Sequence, residues 1–365
     1  MKAPLVIAVL PGDGIGPEVM NAGLEVLKAL AKTRPALQFE WRHFTGGAQH
    51  YADTGNAFPE ESMQALGQCD AILFGAIGLP DVRYPNGTEI STQIDIRDRY
   101  ELYAGVRPVR AMPNTPNVLA DARAKAIDFT VLREQTEGFF YSRGKREVDE
   151  VGAYDHARIT GRGCERLFNF AFRLARERKA RGRQGKVTCV DKANVLTSMA
   201  YMREQFSKCA QKNPDIAVDY CYVDAMALNL VRKPWDYDVI VTENLFGDIL
   251  SDLAGGLVGG LGLAPSGDIG DTHAMFQPAH GSAPDIAGRG IANPTAMILS
   301  CAMMLEWLGK KHKHPIATEA ARLLEDAVHR AYAKRGLKPV ELGGSDNTEA
   351  ITRAVLDELA QGGTR

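Results

Sequence analysis

Short apolar runs alternate with longer segments of helical periodicity along most of this chain. Several runs have the length and apolar character of buried strands, namely residues 5–10, 39–44, 71–74, 129–132, 186–190, 216–223 and 239–241. Apolar residues recur at helical spacing between them, as in segments 60–66, 166–183 and 296–308. Strands that alternate with helices predict an α/β fold in which helices cover both faces of a mainly parallel sheet.

The stretch over residues 237–270 is the segment around which the other predicted elements are expected to be arranged. A short predicted strand leads there into a helix over residues 245–257, on which Asp248 and Asp252 lie four positions apart. The two carboxylates therefore share one helical face, where like charges repel. The stretch contains no Lys or Arg. A solvated acidic face is one interpretation, but the otherwise apolar helix favours a hard divalent cation held by both carboxylates.

A glycine-rich turn, PGDGIGP at residues 11–17, connects the first predicted strand to the first helix. Strand, glycine turn and helix open many nucleotide-binding α/β units. Pro17 breaks the G-x-G-x-x-G spacing, however, so the standard Rossmann fingerprint is absent. The turn is either a tight strand-to-helix connection or a phosphate contact.

Arg107 and Arg133 each end an apolar run, where side chains converge, and Arg97 lies in a helical run before them. Arg97, Arg107 and Arg133 are candidates for gripping a small polyanion, because a guanidinium matches a carboxylate with two parallel hydrogen bonds. Surface charge is the alternative. Lys192 follows a predicted strand and is a candidate base, and Asp224 is a third carboxylate in an apolar segment.

The loop over residues 276–286, FQPAHGSAPDI, is rich in small residues that let the backbone approach a ligand closely. Asp285 in such a loop suits the free ribose hydroxyls of NAD, whereas it would repel the 2′-phosphate of NADP. The loop therefore indicates an NAD site.

Length and charge narrow the choice of function. A chain of 365 residues exceeds the size at which single cores usually divide, so two domains are expected. The 43 basic and 45 acidic residues nearly balance, which does not favour a nucleic acid or an anionic membrane as partner. The six cysteines are scattered without metal-site spacing, and no apolar run reaches the ~20 residues that span a bilayer. A cytoplasmic protein is expected.

Four separated segments carry a family resemblance: PGDGIGPEV, YVDAMALNLV, TENLFGDILSDLAGGL and HGSAPDIAGRGIANPTA. Together they resemble the β-decarboxylating dehydrogenases, which include isocitrate, 3-isopropylmalate, homoisocitrate and tartrate/D-malate dehydrogenases. The resemblance runs from about residue 6 to residue 359 and implies an isocitrate/isopropylmalate dehydrogenase-like fold of two α/β lobes. Residues 1–102 and 259–365 would form a cofactor-binding lobe, and residues 103–258 a dimerisation and metal/substrate lobe. A homodimer with shared active sites is implied.

The resemblance also implies roles for individual residues in this sequence. Asp248 and Asp252 would hold Mg²⁺ or Mn²⁺, with Asp224 supplied by the partner subunit. Arg97, Arg107 and Arg133 would grip the carboxylates of a hydroxy-diacid substrate. Lys192, donated across the dimer and coupled to Asp224, would assist loss of the hydroxyl proton before hydride passes to NAD and CO₂ leaves. The implied cofactor contacts are Asn194, His280, Gly281, Ser282, Ala283, Asp285 and Asn293.

The sequence departs from the family at one position. The family places a tyrosine seven residues after the last arginine, where this chain has Phe140, followed by Tyr141. We expect Tyr141 to reach the site through a local shift and to protonate the enol. The alternatives are that another acid substitutes, or that decarboxylation is impaired.

The segment before Arg97 indicates the substrate. Ser91 and Gln93 are polar, whereas Ile90 and Ile94 offer apolar contact, so a mixed pocket is predicted. The best expectation is a 3-substituted malate resembling 3-isopropylmalate, with isocitrate or tartrate/D-malate dehydrogenase activity as the alternative. An alternative of another class is a catalytically silent binding or regulatory subunit, which retention of the acids, the lysine and the arginines disfavours.

Overall fold

The computed structural model of the chain describes residues 3–116, 118–145 and 147–362. Its strands are β1 (Leu5–Gly12), β2 (Phe39–His43), β3 (Ala71–Ala76), β4 (Ala104–Arg110), β5 (Asp128–Glu134), β6 (Glu147–Val148), β7 (Ala153–Tyr154), β8 (Lys186–Asp191), β9 (Ala217–Tyr222), β10 (Val239–Thr242), β11 (Pro265–Ile269) and β12 (Ala274–Pro278). Its α-helices are α1 (Gly16–Thr33), α2 (Ala48–Thr54), α3 (Glu60–Leu66), α4 (Thr92–Arg99), α5 (Gly161–Ala180), α6 (Thr197–Gln211), α7 (Val223–Arg232), α8 (Asn244–Leu257), α9 (Thr295–Lys311), α10 (Pro315–Arg335) and α11 (Thr348–Gly362).

Ten strands of the described chain form one sheet, in the order β2-β1-β3-β12-β11-β4-β5-β10-β8-β9. Six of the nine neighbouring pairs are parallel. The three antiparallel pairs lie together at the centre, at β12–β11, β11–β4 and β4–β5. The predicted α/β fold with a mainly parallel sheet is therefore confirmed, with a reversal of strand direction at its middle.

Helices cover the sheet and bury its inner strands. Every residue of β3 and β10 is buried, as expected for apolar strands covered on both faces. The largest hydrophobic cluster joins β1 and α1 to α9, α10 and α11, whereas two further clusters consist of buried residues between positions 103 and 258. The lobe boundaries expected from the sequence remain a prediction, and their outermost ends lie outside the described residues.

None of the helices in the described ranges combines the length and the hydropathy of a bilayer-spanning segment.

The glycine turn at residues 11–17 makes close packing contacts. Gly14 has φ +57°, and a Cβ there would lie 2.0 Å from the Ser282 carbonyl oxygen. Ile15 donates its backbone N–H to that same oxygen at 2.7 Å. The buried Asp13 carboxylate accepts three backbone N–H groups at 2.7, 3.0 and 2.9 Å. These contacts favour the tight structural connection over a phosphate contact.

The absence of a side chain at Gly105 of β4 leaves room for the side chain of Gln135. Gly105 pairs with Arg133 of β5 and with Asp268 of β11. A Cβ at position 105 would lie 1.9 Å from Gln135 Nε2, which donates to Asp268 Oδ1 at 2.6 Å. This hydrogen bond therefore depends on the missing side chain at position 105.

Gly105→Ala is expected to lower the free energy of unfolding by about 2 kcal/mol or more, because the methyl group displaces a buried amide and leaves its partner unpaired. Urea titration at fixed protein concentration measures the change. Gly281→Ala is the control, since a Cβ at position 281 meets nothing within 4 Å, and a change under about 0.5 kcal/mol is expected. Equal effects of the two substitutions would contradict this interpretation of Gly105.

Candidate active site

Helix α8 carries the two carboxylates predicted to hold a metal. Glu243 caps the helix and accepts backbone hydrogen bonds from Phe246 at 2.6 Å and Leu245 at 3.1 Å, which fixes its first turn. Asp248 is half-buried, and Asp252 on the same side of the helix is the more exposed of the two. Partial burial, followed by the neighbouring Asp248 charge, raises the pKa of Asp252.

The α8 carboxylates fit a divalent cation. Arg133 Nη1 donates a short hydrogen bond to Asp248 Oδ1, whereas the Asp252 carboxylate has no hydrogen bond or ion pair with any described residue. Oxygen ligands of this kind suit Mg²⁺ or Mn²⁺. Within the described part of one chain, no three Asp, Glu, His or Cys side chains cluster closely enough to hold a metal. The third ligand expected from Asp224 would therefore have to come from another subunit.

The three predicted arginines are brought together in a buried cluster. Arg97 of α4, Arg107 of β4 and Arg133 of β5 are 6%, 7% and 3% exposed. Burial lowers the pKa of Arg133 to about 10 in spite of the nearby Asp248, and burial also lowers the pKa of Arg107. Buried guanidiniums are unfavourable without carboxylate partners, so the cluster suits an anionic ligand.

Asp268 of β11 belongs to this cluster, although it was not predicted from the sequence. It is fully buried. Arg97 Nε donates to Asp268 Oδ2 at 2.9 Å, and Arg107 Nη2 lies 3.7 Å from Asp268 Oδ1. Burial alone would raise the pKa of Asp268, but the two guanidiniums outweigh it and lower that pKa. The one signal in the sequence is an acid inside the short run SGDIG.

Lys192 and Asp224 contact each other within one chain. Asp224 lies in the first turn of α7, because β9 already ends at Tyr222. Lys192 Nζ donates to Asp224 Oδ1 at 2.8 Å, and this hydrogen bond lowers the pKa of Asp224. The pair has the geometry for shared proton handling. That the Lys192–Asp224 pair completes the active site of a neighbouring subunit stays a prediction.

The predicted substrate-selecting residues lie at the start of α4. Ser91 is 8% exposed and donates its hydroxyl to the Glu89 carbonyl at 3.1 Å. Gln93 Oε1 is buried and finds no donor among the described residues. Ile90 is 1% exposed and belongs to a small hydrophobic cluster with Ala48. A buried amide oxygen without a donor marks a place where a polar ligand group would be favourable.

The loop after β12 lies against the N-terminal glycine turn. Ser282 is 7% exposed and donates a short hydrogen bond to the Gly78 carbonyl. Ala283 adopts a left-handed φ of 36°. His280 Nδ1 lies 2.8 Å from the Gly281 carbonyl oxygen, while its buried Nε2 has no partner in the described chain. Burial lowers the pKa of His280, so a neutral ring is available to a polar ligand.

The remaining predicted cofactor residues differ in exposure. Asn293 is 6% exposed; its Nδ2 donates to Glu341 Oε1 at 2.7 Å and its Oδ1 accepts from the Thr295 N–H at 3.1 Å. Asp285 is exposed on the same loop. Asn194 is also exposed, but it follows β8 beside Lys192 rather than lying on the loop. The loop therefore gathers most of the predicted cofactor contacts and leaves Asn194 on a separate segment.

Phe140, rather than Tyr141, faces the arginine cluster. The Arg133 guanidinium carbon lies 5.2 Å from the centre of the Phe140 ring. The Tyr141 ring lies against Lys145, at 2.9 Å from Nζ to the ring centre, and against Arg158 at 3.8 Å. A hydrogen bond involving Lys145 lowers the pKa of Tyr141. The catalytic role of Tyr141 stays a prediction, and it requires the phenol to leave these two cations.

Glu134, next to Arg133 on β5, is a buried acid whose carboxylate lies on the other face of the sheet, 3.8 Å from Arg166 Nη2. Its carboxylate accepts hydrogen bonds from the Thr136 N–H at 2.7 Å, the Thr136 hydroxyl at 2.7 Å and the Glu137 N–H at 2.5 Å. Burial outweighs these hydrogen bonds and raises the pKa of Glu134 to about 7. Its charge therefore changes within the neutral pH range.

Comparison with known proteins shows that the chain is similar to one family over nearly its whole length. The family model described as isocitrate/isopropylmalate dehydrogenase matches residues 6–359. A Methanocaldococcus jannaschii protein named 3-isopropylmalate/3-methylmalate dehydrogenase is 44% identical over 357 residues, which cover 96% of this chain and 99% of that protein. An isocitrate/homoisocitrate dehydrogenase of Thermus thermophilus is 41% identical over 97% of this chain and 98% of its own. The crystal structure of isocitrate dehydrogenase from Methylococcus capsulatus superposes with a TM-score of 0.84 at 34% identity, covering 97% of this chain and 99% of that one.

Relative to wild type, Glu134→Gln is expected to raise the free energy of unfolding more at pH 8 than at pH 5. The pKa of Glu134 is about 7 in the folded chain against an ordinary value of 4.5, so the folded state binds more protons between these values and loses stability as the pH rises. Between pH 5 and pH 8 the wild type should lose about 2.5 kcal/mol of unfolding free energy relative to the variant. Urea titrations at both pH values measure it. Glu349→Gln, an exposed control on α11, should show no such dependence, and equal pH profiles for wild type and Glu134→Gln would disprove the prediction.

Proposed function

The chain belongs to the isocitrate/isopropylmalate dehydrogenase family, and we propose that it catalyses the oxidative decarboxylation of a 3-substituted malate resembling 3-isopropylmalate. The observation that carries this proposal is the buried cluster of Arg97, Arg107 and Arg133 beside the α8 carboxylates. Such a cluster suits a small diacid bound next to a divalent cation. The M. jannaschii relative, named for 3-isopropylmalate and 3-methylmalate, supports the choice of substrate.

The arginines would bind and orient the substrate carboxylates. Arg97 uses its Nε on Asp268, so its two terminal nitrogens remain available to a ligand. Arg107 Nε is buried and unpartnered among the described residues, which makes it a further donor for a carboxylate. Two substrate carboxylates held in this way fix the carbon that carries the hydroxyl group.

Lys192 would handle the hydroxyl proton. Its Nζ is hydrogen-bonded to Asp224, and 67% of the Asp224 side chain is exposed, so a proton has a route from the lysine to solvent. Asp248 and Asp252 of one chain, with Asp224 of the partner subunit, would hold Mg²⁺ or Mn²⁺. When bound, the cation supplies Lewis-acid polarisation of the C2 oxygen.

The loop over residues 280–293 would bind the adenosine half of NAD. The unpartnered His280 Nε2 and the exposed Asp285 are the polar groups available to a nucleotide there. NAD supplies the acceptor for the hydride that leaves the hydroxyl-bearing carbon. Its ribose hydroxyls can donate to the Asp285 carboxylate, whereas a 2′-phosphate would be repelled.

A homodimer would complete each site. Leu228 and Val231 of α7 and Ile249 of α8 are 55%, 48% and 60% exposed. Exposed apolar side chains on two packed helices suit an interface with a second copy of the chain. The same helices carry Asp224 and Asp248, so an interface there would bring the metal ligands of two subunits together.

The function is tested by NADH formation with Mn²⁺ over a panel of 3-isopropylmalate, isocitrate, D-malate and tartrate. The highest kcat/KM is expected with 3-isopropylmalate. Higher activity on isocitrate, D-malate or tartrate would replace the substrate assignment. No NADH from any substrate, with ligand binding retained, would favour a catalytically silent binding subunit instead.

Asp248→Asn is expected to reduce Mn²⁺-dependent turnover by about 10³-fold or more, because an amide cannot replace the carboxylate charge at a divalent cation. Initial rates with saturating substrate and NAD measure the loss. Asp357→Asn, on the exposed face of α11, is the matched control and should retain wild-type rates. Substantial turnover by either wild type or Asp248→Asn after metal removal would contradict the metal assignment.

A preference for NAD over NADP by about tenfold or more in kcat/KM is expected from the charge at Asp285. Asp285→Asn should narrow this preference, because it removes the repulsion of a 2′-phosphate. Steady-state kinetics with both cofactors provide the measurement. Equal use of the two cofactors by the wild-type protein would remove Asp285 from the ribose role.

A further inference from the structure

We propose that Asp268 is a specificity-determining residue: as a permanent counter-charge to Arg97 and Arg107, it adapts the site to dicarboxylate substrates and disfavours tricarboxylates. This inference rests on the proposed function and specifies the substrate class more narrowly. Asp268 is a positioning residue in this role, since its carboxylate is directed at the arginines and not at the substrate.

The contacts of Asp268 leave no space for a ligand on its carboxylate. Oδ2 accepts from Arg97 Nε at 2.9 Å and from Gln277 Nε2 at 2.7 Å. Oδ1 accepts from Gln135 Nε2 at 2.6 Å and lies 3.7 Å from Arg107 Nη2. The side chain is fully buried. Both oxygens are therefore occupied by protein donors, so the negative charge is a fixed part of the site.

Three strands cooperate to hold this charge in place. Asp268 is paired with Gly105 across β11 and β4, and the absence of a side chain at Gly105 admits the Gln135 amide. Gln277 reaches the carboxylate from β12. A buried carboxylate with two amide donors and two guanidinium neighbours stays ionised and stays in position.

The fixed charge changes what the cluster can bind. The guanidiniums of Arg97, Arg107 and Arg133 are matched in number by the carboxylates of Asp248, Asp252 and Asp268, so the cluster is neutral by itself. A divalent cation adds two positive charges, and the cofactor adds the same charge for either substrate. A tricarboxylate trianion carries one more negative charge than a dicarboxylate dianion, so the fixed Asp268 charge disfavours the trianion more strongly in a largely buried site. The Lys192–Asp224 pair is neutral and does not alter this balance.

Asp268 also limits the number of free donors. It holds Arg97 Nε and lies beside Arg107 Nη2, and Asp248 takes Arg133 Nη1. A third substrate carboxylate would have to compete with Asp268 and Asp248 for the same guanidiniums. Competition of this kind weakens a trianion more than a dianion.

Asp268→Asn tests the proposal, because it removes the charge with little change of shape. The ratio of kcat/KM for 3-isopropylmalate to kcat/KM for isocitrate, measured at pH 8, should fall about tenfold in this variant. Asp268→Asn/Gln277→Glu returns the carboxylate to the other end of the same 2.7 Å hydrogen bond and should restore the ratio towards the wild-type value. Asp271→Asn, the same substitution two residues after β11, is the control and should leave the ratio unchanged.

Binding to the metal-free protein gives a readout that is independent of catalysis. Calorimetric titration with tricarballylate and succinate should show a gain of about tenfold in relative affinity for tricarballylate in Asp268→Asn. If Asp268→Asn does not fold, Gln277→Glu alone provides the opposite test, since a second acid should shift both ratios further towards the dicarboxylate.

Equal loss for both substrates in Asp268→Asn, or a double variant that fails to restore the ratio, would reduce Asp268 to a purely structural residue and overturn the proposal. An unchanged ratio in both folded single variants would do the same. These outcomes leave the proposed function intact, because the wild-type protein would still oxidise the dicarboxylate. Wild-type protein that oxidises no hydroxy-acid of the panel would instead overturn the proposed function.

Discussion

The need to neutralise buried guanidiniums governs the centre of this protein. Arg97, Arg107 and Arg133 are each less than one tenth exposed, and charges removed from water to that degree persist only with well-placed partners. Asp268 partners the first two and Asp248 the third. The site is therefore already polarised before any ligand binds, and the proposed anionic substrate would complete a charge pattern that the fold has imposed.

The reversal of the sheet explains how these groups come together. β11, β4 and β5 are the strands at which the sheet changes direction, and they carry Asp268, Arg107 and Arg133. Arg97 joins them from α4, on a segment that packs with the first part of the chain. The residues beside the arginine cluster belong to different hydrophobic clusters, since Ile96 packs with β3 whereas Val106 and Leu132 pack with α5, and such boundaries are common locations for ligand sites. Any change in the relative position of these hydrophobic clusters would alter the distances between the charges.

Much of the fold followed from periodicity, because apolar patterning is a local signal. The prediction over residues 60–66 coincides with α3, and the helix expected over residues 245–257 is α8 with one more residue at its start. Helix α7 was not predicted, because its exposed face carries the apolar Leu228 and Val231, which obscure the contrast between its two faces. β11 was missed because Pro265 and Gly267 weaken its strand pattern, and the loop predicted over residues 276–286 was wrong at its start, since residues 276–278 belong to β12; pairing with β4 and β3 makes both segments strands.

The site was predictable to the extent that residue type reveals chemistry. Arg107, Arg133 and the α8 acids were identified because their charge is unusual next to apolar sequence, and Arg97 because the family resemblance implies a role for it. Asp268 was not, since it is 171 positions from Arg97, and a contact over that distance has no local signature. The side chain that faces Arg133 was equally hidden, because a backbone turn decides whether Phe140 or its neighbour points inward.

The proposed chemistry depends on carboxylates of two subunits that hold one divalent cation beside the buried arginines. Crystals of the protein grown with Mn²⁺ and a dicarboxylate, with anomalous diffraction recorded at the manganese edge, test this arrangement most directly. We predict a single strong anomalous peak per site, in contact with Asp248 and Asp252 of one chain and with Asp224 of the partner subunit. Manganese bound elsewhere, or bound without any contribution from a second chain, would contradict the account.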